Sequence, residues 1–328
     1  MKRREFLGVL SGAAVWPVAV RAQNDRVRRV VVAMAGSESD PRQQLNVAVF
    51  RDGLRRLGWT DGQNMRIEIL WRGVSAEAAK VYVAEIAAHS PDAVVMTTLQ
   101  GFLAMRRDAS SIPMVFVNLP DPVVMGLVST LANTGENFTG FTAYEFAIAG
   151  KWLQVLKELA PHVTRVAMTF GNATRPVGEN FYRALQAAAG PLSVETTAIR
   201  IDSPSDVQSG IDAFAVKSNG GLVMAAEAVS FYNRALIVGL AARHSLPAVY
   251  PFREIVDEGG LAFYGINFQD LYRGAATYAD RILRGTKPAD LPIQAPTKFE
   301  LAINLKVAKA LGPEVSQSLL ARADEVIE

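Results

Sequence analysis

At 328 residues the chain is longer than one typical hydrophobic core supports and suits two domains. Half of it is hydrophobic and a fifth charged, which excludes disorder, and a formal charge of +2 supplies no field for nucleic acid or an anionic membrane surface. Cysteine is absent, which excludes a disulfide scaffold, a thiolate metal site, a cysteine nucleophile and a lipidated cysteine.

The amino terminus reads as an export signal. Lys2, Arg3 and Arg4 form a basic region, Phe6 to Val20 is apolar, and Val20-Arg21-Ala22 offers small residues where a signal peptidase cuts, so cleavage is expected after Ala22. The apolar part is too short for a membrane span and is broken by Pro17. Arg3-Arg4-Glu5-Phe6-Leu7 has the form of a twin-arginine (Tat) signal, so residues 1–22 are assigned to a signal peptide and the mature protein to the periplasm. Removing Lys2, Arg3, Arg4 and Arg21 with Glu5 leaves the mature chain near neutral.

From Val27 strands and helices alternate. Val30–Ala35 is an apolar strand ending in the polar loop Gly36–Asp40, and Pro41 starts a helix with Leu45, Val49, Leu54 and Leu57 at near-helical spacing up to Gly58. Met65–Leu70 alternates like a strand at a sheet edge, and Ser75 caps a helix with Ala79, Val83, Ile86 and Ala87 inward. Ala93–Met96 is a third strand, with Thr97–Gly101 as its exit loop. Met114–Val117 is a buried strand that breaks at Asn118-Leu119-Pro120-Asp121-Pro122, since two prolines so spaced suit neither a sheet nor a helix interior.

Gly140–Tyr144 reads as a crossing, after which a second series begins. Its strands are Val163–Phe170, Val194–Ile199, Gly221–Ala225, Pro247–Tyr250 and Gly260–Tyr264, separated by helices that include one capped by Ser203. Lys298–Asn304 is a further strand, with two short helices at Leu305–Leu311 and Val315–Ala323. The expected fold class is α/β: two Rossmann-like lobes with parallel sheets, joined by several strands. The lobes are placed at 28–142, with part of 266–297, and at 143–265, with 298–328.

Ligands of open parallel sheets bind at the carboxyl ends of the strands. That rule selects Ser37, Thr98, Gln100, Asn118 and Asp121 in the first series, and Asn172, Glu227, Tyr250 and Tyr264 in the second. Hydroxyls, amides and helix N-termini suit a carboxylate; Asp121 or Glu227 suits an ammonium group; the tyrosines suit an apolar or aromatic body. Each has a plainer alternative. Asp121 can cap a helix beginning at Pro122, Asn118 can stabilise its own turn, Glu227 can cap the helix through Phe231, and both tyrosines can be core aromatics.

Chemistry-bearing motifs are missing. The sequence has no G-x-S-x-G elbow, Walker loop, G-x-G-x-x-G after a strand or H-E-x-x-H, so no catalytic residue, metal ligand or cofactor is assigned. His89, His162 and His244 stand singly at helix ends or turns, and the adjacent Asp257 and Glu258 do not share a helix face.

The runs IPMVFV…DPV…GLVSTLA, then LAARHSLPAVYPFREIVDEGGL, then PTKFELAINLKVAKALG…LLARADEVIE resemble the periplasmic substrate-binding components of ABC transporters, in the branch associated with tryptophan and tyrosine uptake. The resemblance spans about Arg28 to Glu328, although Thr97-Thr98-Leu99-Gln100 departs from the Gly/Thr-rich loop usual there. It implies a type I periplasmic-binding-protein fold with a hinge and a ligand shut between two lobes. It also implies delivery of a small molecule, an amino acid or aromatic carboxylate, to an inner-membrane ABC permease with its ATPase. The other classes open to such a chain are a ligand-sensing module for a membrane receptor and an exported α/β enzyme.

Overall fold

Strand β1 (Arg28–Ala35) opens the first sheet, and its residues Val30 to Ala33 have no exposed surface, as a central strand covered on both faces requires. The structure is a computed structural model and describes residues 26–72, 76–171, 175–312 and 315–328. The expected signal peptide of residues 1–22, Ser75 and Asn172 lie outside the described residues. The chain divides into two compact units. The first takes the chain through Val117, Thr130–Phe141 and Tyr272–Ile293; the second takes Asn118–Ser129, Thr142–Leu271 and Gln294–Glu328.

In the first series β1 is followed by α1 (Pro41–Arg56), β2 (Met65–Arg72), α2 (Ala76–Ala88), β3 (Ala93–Met96), α3 (Leu99–Asp108), β4 (Met114–Leu119) and β5 (Phe138–Thr142). The sheet order is β2-β1-β3-β4-β5, with β1 parallel to β2 and β3, and β3 parallel to β4. β2 is at the edge, as its alternation implies: Met65 and Ile67 are buried while Arg66 is exposed. β5 lies so close to β4 that a Cβ on Gly140, whose φ is +155°, would sit 2.1 Å from Phe116 O. Phe102 meets Phe116 and Phe138 edge-on at 5.6 and 4.9 Å, pinning α3 to those strands.

Two helix faces differ from the sequence expectation. On α1 the buried face is Gln43, Asn46, Val47, Phe50 and Leu54, while Leu45 is half exposed. The cause is the later part of α10 (Phe268–Leu283): Tyr272 is buried beside Asn46, and Gly53 is so tight against Ala276 that only a hydrogen fits. On α2, Ala79, Val83 and Ile86 are buried as expected, Tyr82 joins them, and Ala87 faces solvent.

The second unit carries α4 (Ile148–Leu159), β6 (Arg165–Gly171), α5 (Arg175–Ala189), β7 (Glu195–Ile201), α6 (Pro204–Ala215), β8 (Gly220–Met224), α7 (Ala228–Tyr232) and α8 (Arg234–Arg243). Then come β9 (Ala248–Tyr250), α9 (Glu254–Asp257), β10 (Ala262–Gly265) and, after α10, β11 (Glu300–Asn304), α11 (Leu305–Leu311), α12 (Gln317–Leu320) and β12 (Glu325–Ile327). The sheet order is β12-β11-β10-β9-β8-β6-β7, and β11 runs antiparallel to β10 while the other registered pairs are parallel. Ser203 caps α6 in a reciprocal capping box with Asp206. α4 buries Trp152 completely and ties it to β10 through Nε1 donating to Tyr264 O at 2.8 Å. Strand β12 has no periodicity of its own; it exists by pairing with β11.

Candidate functional site

Each sheet gathers polar residues where its parallel strands end. In the first unit β1 runs out at Gly36, whose φ of +80° turns the chain. Ser37 is exposed and its Oγ accepts from Ser39 N at 3.2 Å, fixing the turn; Asp40 then caps α1 by accepting from Arg42 N at 2.9 Å. After β3, Thr98 caps α3 by accepting from Gly101 N at 3.0 Å. Gln100 stands in the first turn of α3, not in a loop, because the Thr98 cap starts the helix at Leu99. Its half-buried amide has no hydrogen-bond partner among the described residues.

Thr97 is a residue the sequence reading passed over as loop. It is 7 % exposed, and its Oγ1 accepts from Ala35 N at 2.9 Å and donates to Ala33 O at 3.0 Å, adding a side-chain rung between β1 and β3. Another is Asn46, buried in α1 with an Oδ1 that has no partner among the described residues.

In the second unit Asn118, next to last in β4, has φ +66°, a left-handed backbone that asparagine tolerates better than most residues, and the residue is exposed. The strand bends there, and Leu119 O accepts from Ala143 N at 3.3 Å. Asp121 caps a single turn, not a helix: its Oδ1 accepts from Val124 N at 3.1 Å, and residues 122–126 close as turns. Met125 in that turn meets Asn180 of α5, with Nδ2 to Sδ at 3.8 Å.

Glu227, beyond β8, occupies the N-cap position of α7 yet makes no side-chain cap; its Oε2 instead accepts from Gly171 N at 2.9 Å, and the residue is only 6 % exposed. Tyr250 is 2 % exposed within the core that includes Leu222, Phe252 and Ile255, and burial pushes its hydroxyl pKa up, so the core reading describes its place. Tyr264 is half-buried, stacks on Phe299 at 5.9 Å between ring centres, and its pKa is also raised by burial. Its hydroxyl has no hydrogen-bond partner among the described residues. Thr142 and Thr169 are buried with Oγ1 atoms that have no partner among the described residues, which the sequence pattern did not mark.

Several titratable groups outside these rims are paired with one another. His244 Nε2 is paired with Asp212 Oδ1 at 2.6 Å between α8 and α6, and Asp257 and Glu258 pair separately with Arg253 and Arg234. Among the described residues no group of three or more His, Cys, Asp or Glu is placed to hold a metal, and no helix is long and apolar enough to cross a membrane. What the strand ends offer is recognition: an amide, hydroxyls and an aromatic face.

Two α/β units with mainly parallel sheets and polar carboxyl-end rims define a two-lobe binding-protein fold of the type I periplasmic kind. A family model narrows this. Residues 31–327 match the model of the ABC transporter substrate-binding proteins, and the chain belongs to that family. A tyrosine-binding protein of Clostridioides difficile (strain R20291) is 22 % identical over 262 residues, which are 80 % of this chain and 75 % of that one. A conserved domain protein from Vibrio cholerae O1 biovar El Tor has a solved structure with TM-score 0.83 at 22 % identity, covering 92 % of this chain and 100 % of that chain. A Streptococcus pneumoniae ABC domain in complex with L-Trp gives TM-score 0.81 at 21 % identity, with coverages of 92 % and 100 %.

Proposed function

We propose that this chain is the exported solute-binding component of an ABC uptake transporter, taking an amino acid or aromatic carboxylate and delivering it to an inner-membrane permease driven by its ATPase. The observation that carries the reading is the family match across residues 31–327. The relatives named for tyrosine and crystallised with L-Trp support an aromatic amino acid as cargo. The signal grammar of residues 1–22 supports twin-arginine export, cleavage after Ala22 and a periplasmic address. The protein turns nothing over; it binds and releases.

The proposed ligand contacts are Ser37, Thr98 and Gln100 on the first unit and Asn118, Asp121, Asn172 and Tyr264 on the second. Gln100 and Tyr264 are favoured because their polar groups are not committed to described neighbours. The donors of the rims suit a carboxylate, and Tyr264 with Phe299 offers a flat apolar face.

The test is a thermal-shift and calorimetric screen of the protein beginning at Gln23 against L-tryptophan, L-tyrosine, other amino acids and aromatic acids. A ligand at a hundred times its Kd stabilises the folded state by about 2.7 kcal/mol and raises the midpoint visibly. Binding without turnover supports the reading. Conversion of a probe to product, or no shift with any of them, refutes it.

A further inference from the structure

We propose that Glu227 is a positioning residue: its carboxylate holds the carboxyl end of β6 through the Gly171 N–H and is not the counter-charge of a ligand's ammonium group. The inference rests on the binding function proposed above and deepens it.

The register of the sheet creates the need. β6 and β8 pair from Arg165 with Gly220 to Thr169 with Met224, and Ala225 N then donates to Thr169 O at 3.0 Å. There β8 leaves the sheet, while β6 continues two residues further and Gly171 still pairs with Ile201 of β7 on its other side. On the β8 side Gly171 has lost its strand neighbour, and a buried N–H without an acceptor is costly. Glu227 Oε2 takes that N–H at 2.9 Å. A side chain thus supplies the rung that the departing strand withdraws.

The fit of Glu227 supports the same role. Its backbone is extended at φ −131° and ψ 153°, the N-cap conformation in which a short acceptor would bond the first turn of α7. Glutamate is longer than such a cap, and its carboxylate reaches across to β6 instead. Both of its backbone groups are engaged: its N–H donates to Ala225 O at 2.9 Å, and its carbonyl accepts from Phe231 N at 3.0 Å. Ser230, buried in α7, donates from Oγ to Thr169 O at 3.4 Å, a second tie between the same two elements. Glu227, 6 % exposed, is therefore held through its backbone and its carboxylate, and what it fixes is Gly171, the last residue of β6 and the neighbour in sequence of the proposed contact Asn172.

The two roles separate by substitution. Glutamine keeps an acceptor oxygen of the same reach but no charge; alanine removes both. For a positioning clamp, Glu227→Gln keeps the affinity for L-tryptophan and L-tyrosine within about threefold, while Glu227→Ala loses tenfold or more. The loss is the same for the deamino analogues indole-3-propionate and 3-(4-hydroxyphenyl)propionate, because no ammonium contact is involved. Hydrogen exchange of the peptide carrying Gly171, in the ligand-free protein, speeds up in Glu227→Ala and stays at the wild-type rate in Glu227→Gln.

A Glu227→Gln protein that loses tenfold for the amino acids and nothing for the deamino acids overturns the proposal in favour of a charge contact. So does unchanged Gly171 exchange in Glu227→Ala. Should Glu227→Ala not fold, the Glu227→Gln affinities and exchange decide alone. If the wild-type protein binds none of the four probes, the binding function is what fails, and the Gly171 exchange rates still decide the clamp.

Discussion

Replacing Thr97 by valine tests whether the rim of the first sheet is built as described. Valine keeps the β-branched shape and removes only Oγ1. That atom has two partners, and they are not equally exposed to its loss. Ala33 O keeps a donor in Thr97 N at 3.1 Å, so it stays satisfied. Ala35 N loses its acceptor, which lay at 2.9 Å. Leaving one buried donor unpaired costs about 1–3 kcal/mol, and since Ala35 is only half-buried, water relieves part of it, so the lower part of that range, about 1–2 kcal/mol, is expected. For a cooperative unit of roughly this size that is about 3–6 °C in Tm. Urea unfolding followed by circular dichroism measures it, with Thr97→Ser as the control, since serine can restore the acceptor. A valine protein as stable as the wild type would refute the rung, and a serine protein as damaged as the valine one would place the effect in packing rather than in the hydrogen bond.

Gly140→Ala should cost at least about 3 kcal/mol, because a φ of +155° is strained for alanine and its Cβ would meet Phe116 O at 2.1 Å; a soluble variant with an unchanged urea midpoint would contradict the close approach of β5 to β4. Gln100→Ala should leave the free protein within about 0.5 kcal/mol of wild type yet weaken ligand binding about fivefold, read by calorimetry; equal affinity would remove Gln100 from the site. The Ser203 hydroxyl and the backbone N–H groups of Asp202 and Ser203 hold the Asp206 carboxyl below its ordinary value. A lowered folded pKa gives stability that is present above the unfolded value of about 3.9 and lost as pH falls through the folded one. Urea midpoints of wild type and Asp206→Asn should therefore differ at neutral pH and converge in acid; a gap that persists unchanged below the folded value would speak against the capping box as its source.

Much of the fold is legible because a parallel sheet covered on both faces writes its strands as unbroken apolar runs. VVVAMA, AVVM, MVFV and GLVM could be read without knowing any partner, and the proline, glycine and serine signals around them mark most helix starts. Three of the errors share one cause. On α1 the pattern favours Leu45, but the helix turns Gln43 and Asn46 inward because Tyr272, far along the chain, packs beside Asn46. Thr97 looks like loop because its two partners sit on β1. β12 is invisible since three residues, of which only Ile327 packs against buried core, become a strand only by pairing with β11.

The same distinction explains how far the candidate site could be read. That polar residues follow strand ends is a property of local sequence, so Ser37, Thr98, Gln100, Asn118 and Asp121 could all be found. Whether such a residue remains available to a ligand is a property of its neighbours. Thr98 and Asp121 each bond a backbone N–H three residues on, a local demand the residue types already announce. Glu227 answers a demand 56 positions away, set by where β8 stops pairing with β6. Tyr250 and Tyr264 each lie at or near the end of a strand, yet one is sealed in the core and the other keeps an open ring, because which face of the sheet a helix covers is decided by the whole unit. Position along a strand nominates a contact; the hydrogen-bond account of its surroundings decides whether the group is still unspent. On that account Gln100 and Tyr264 are the residues whose substitution should separate binding from stability most cleanly.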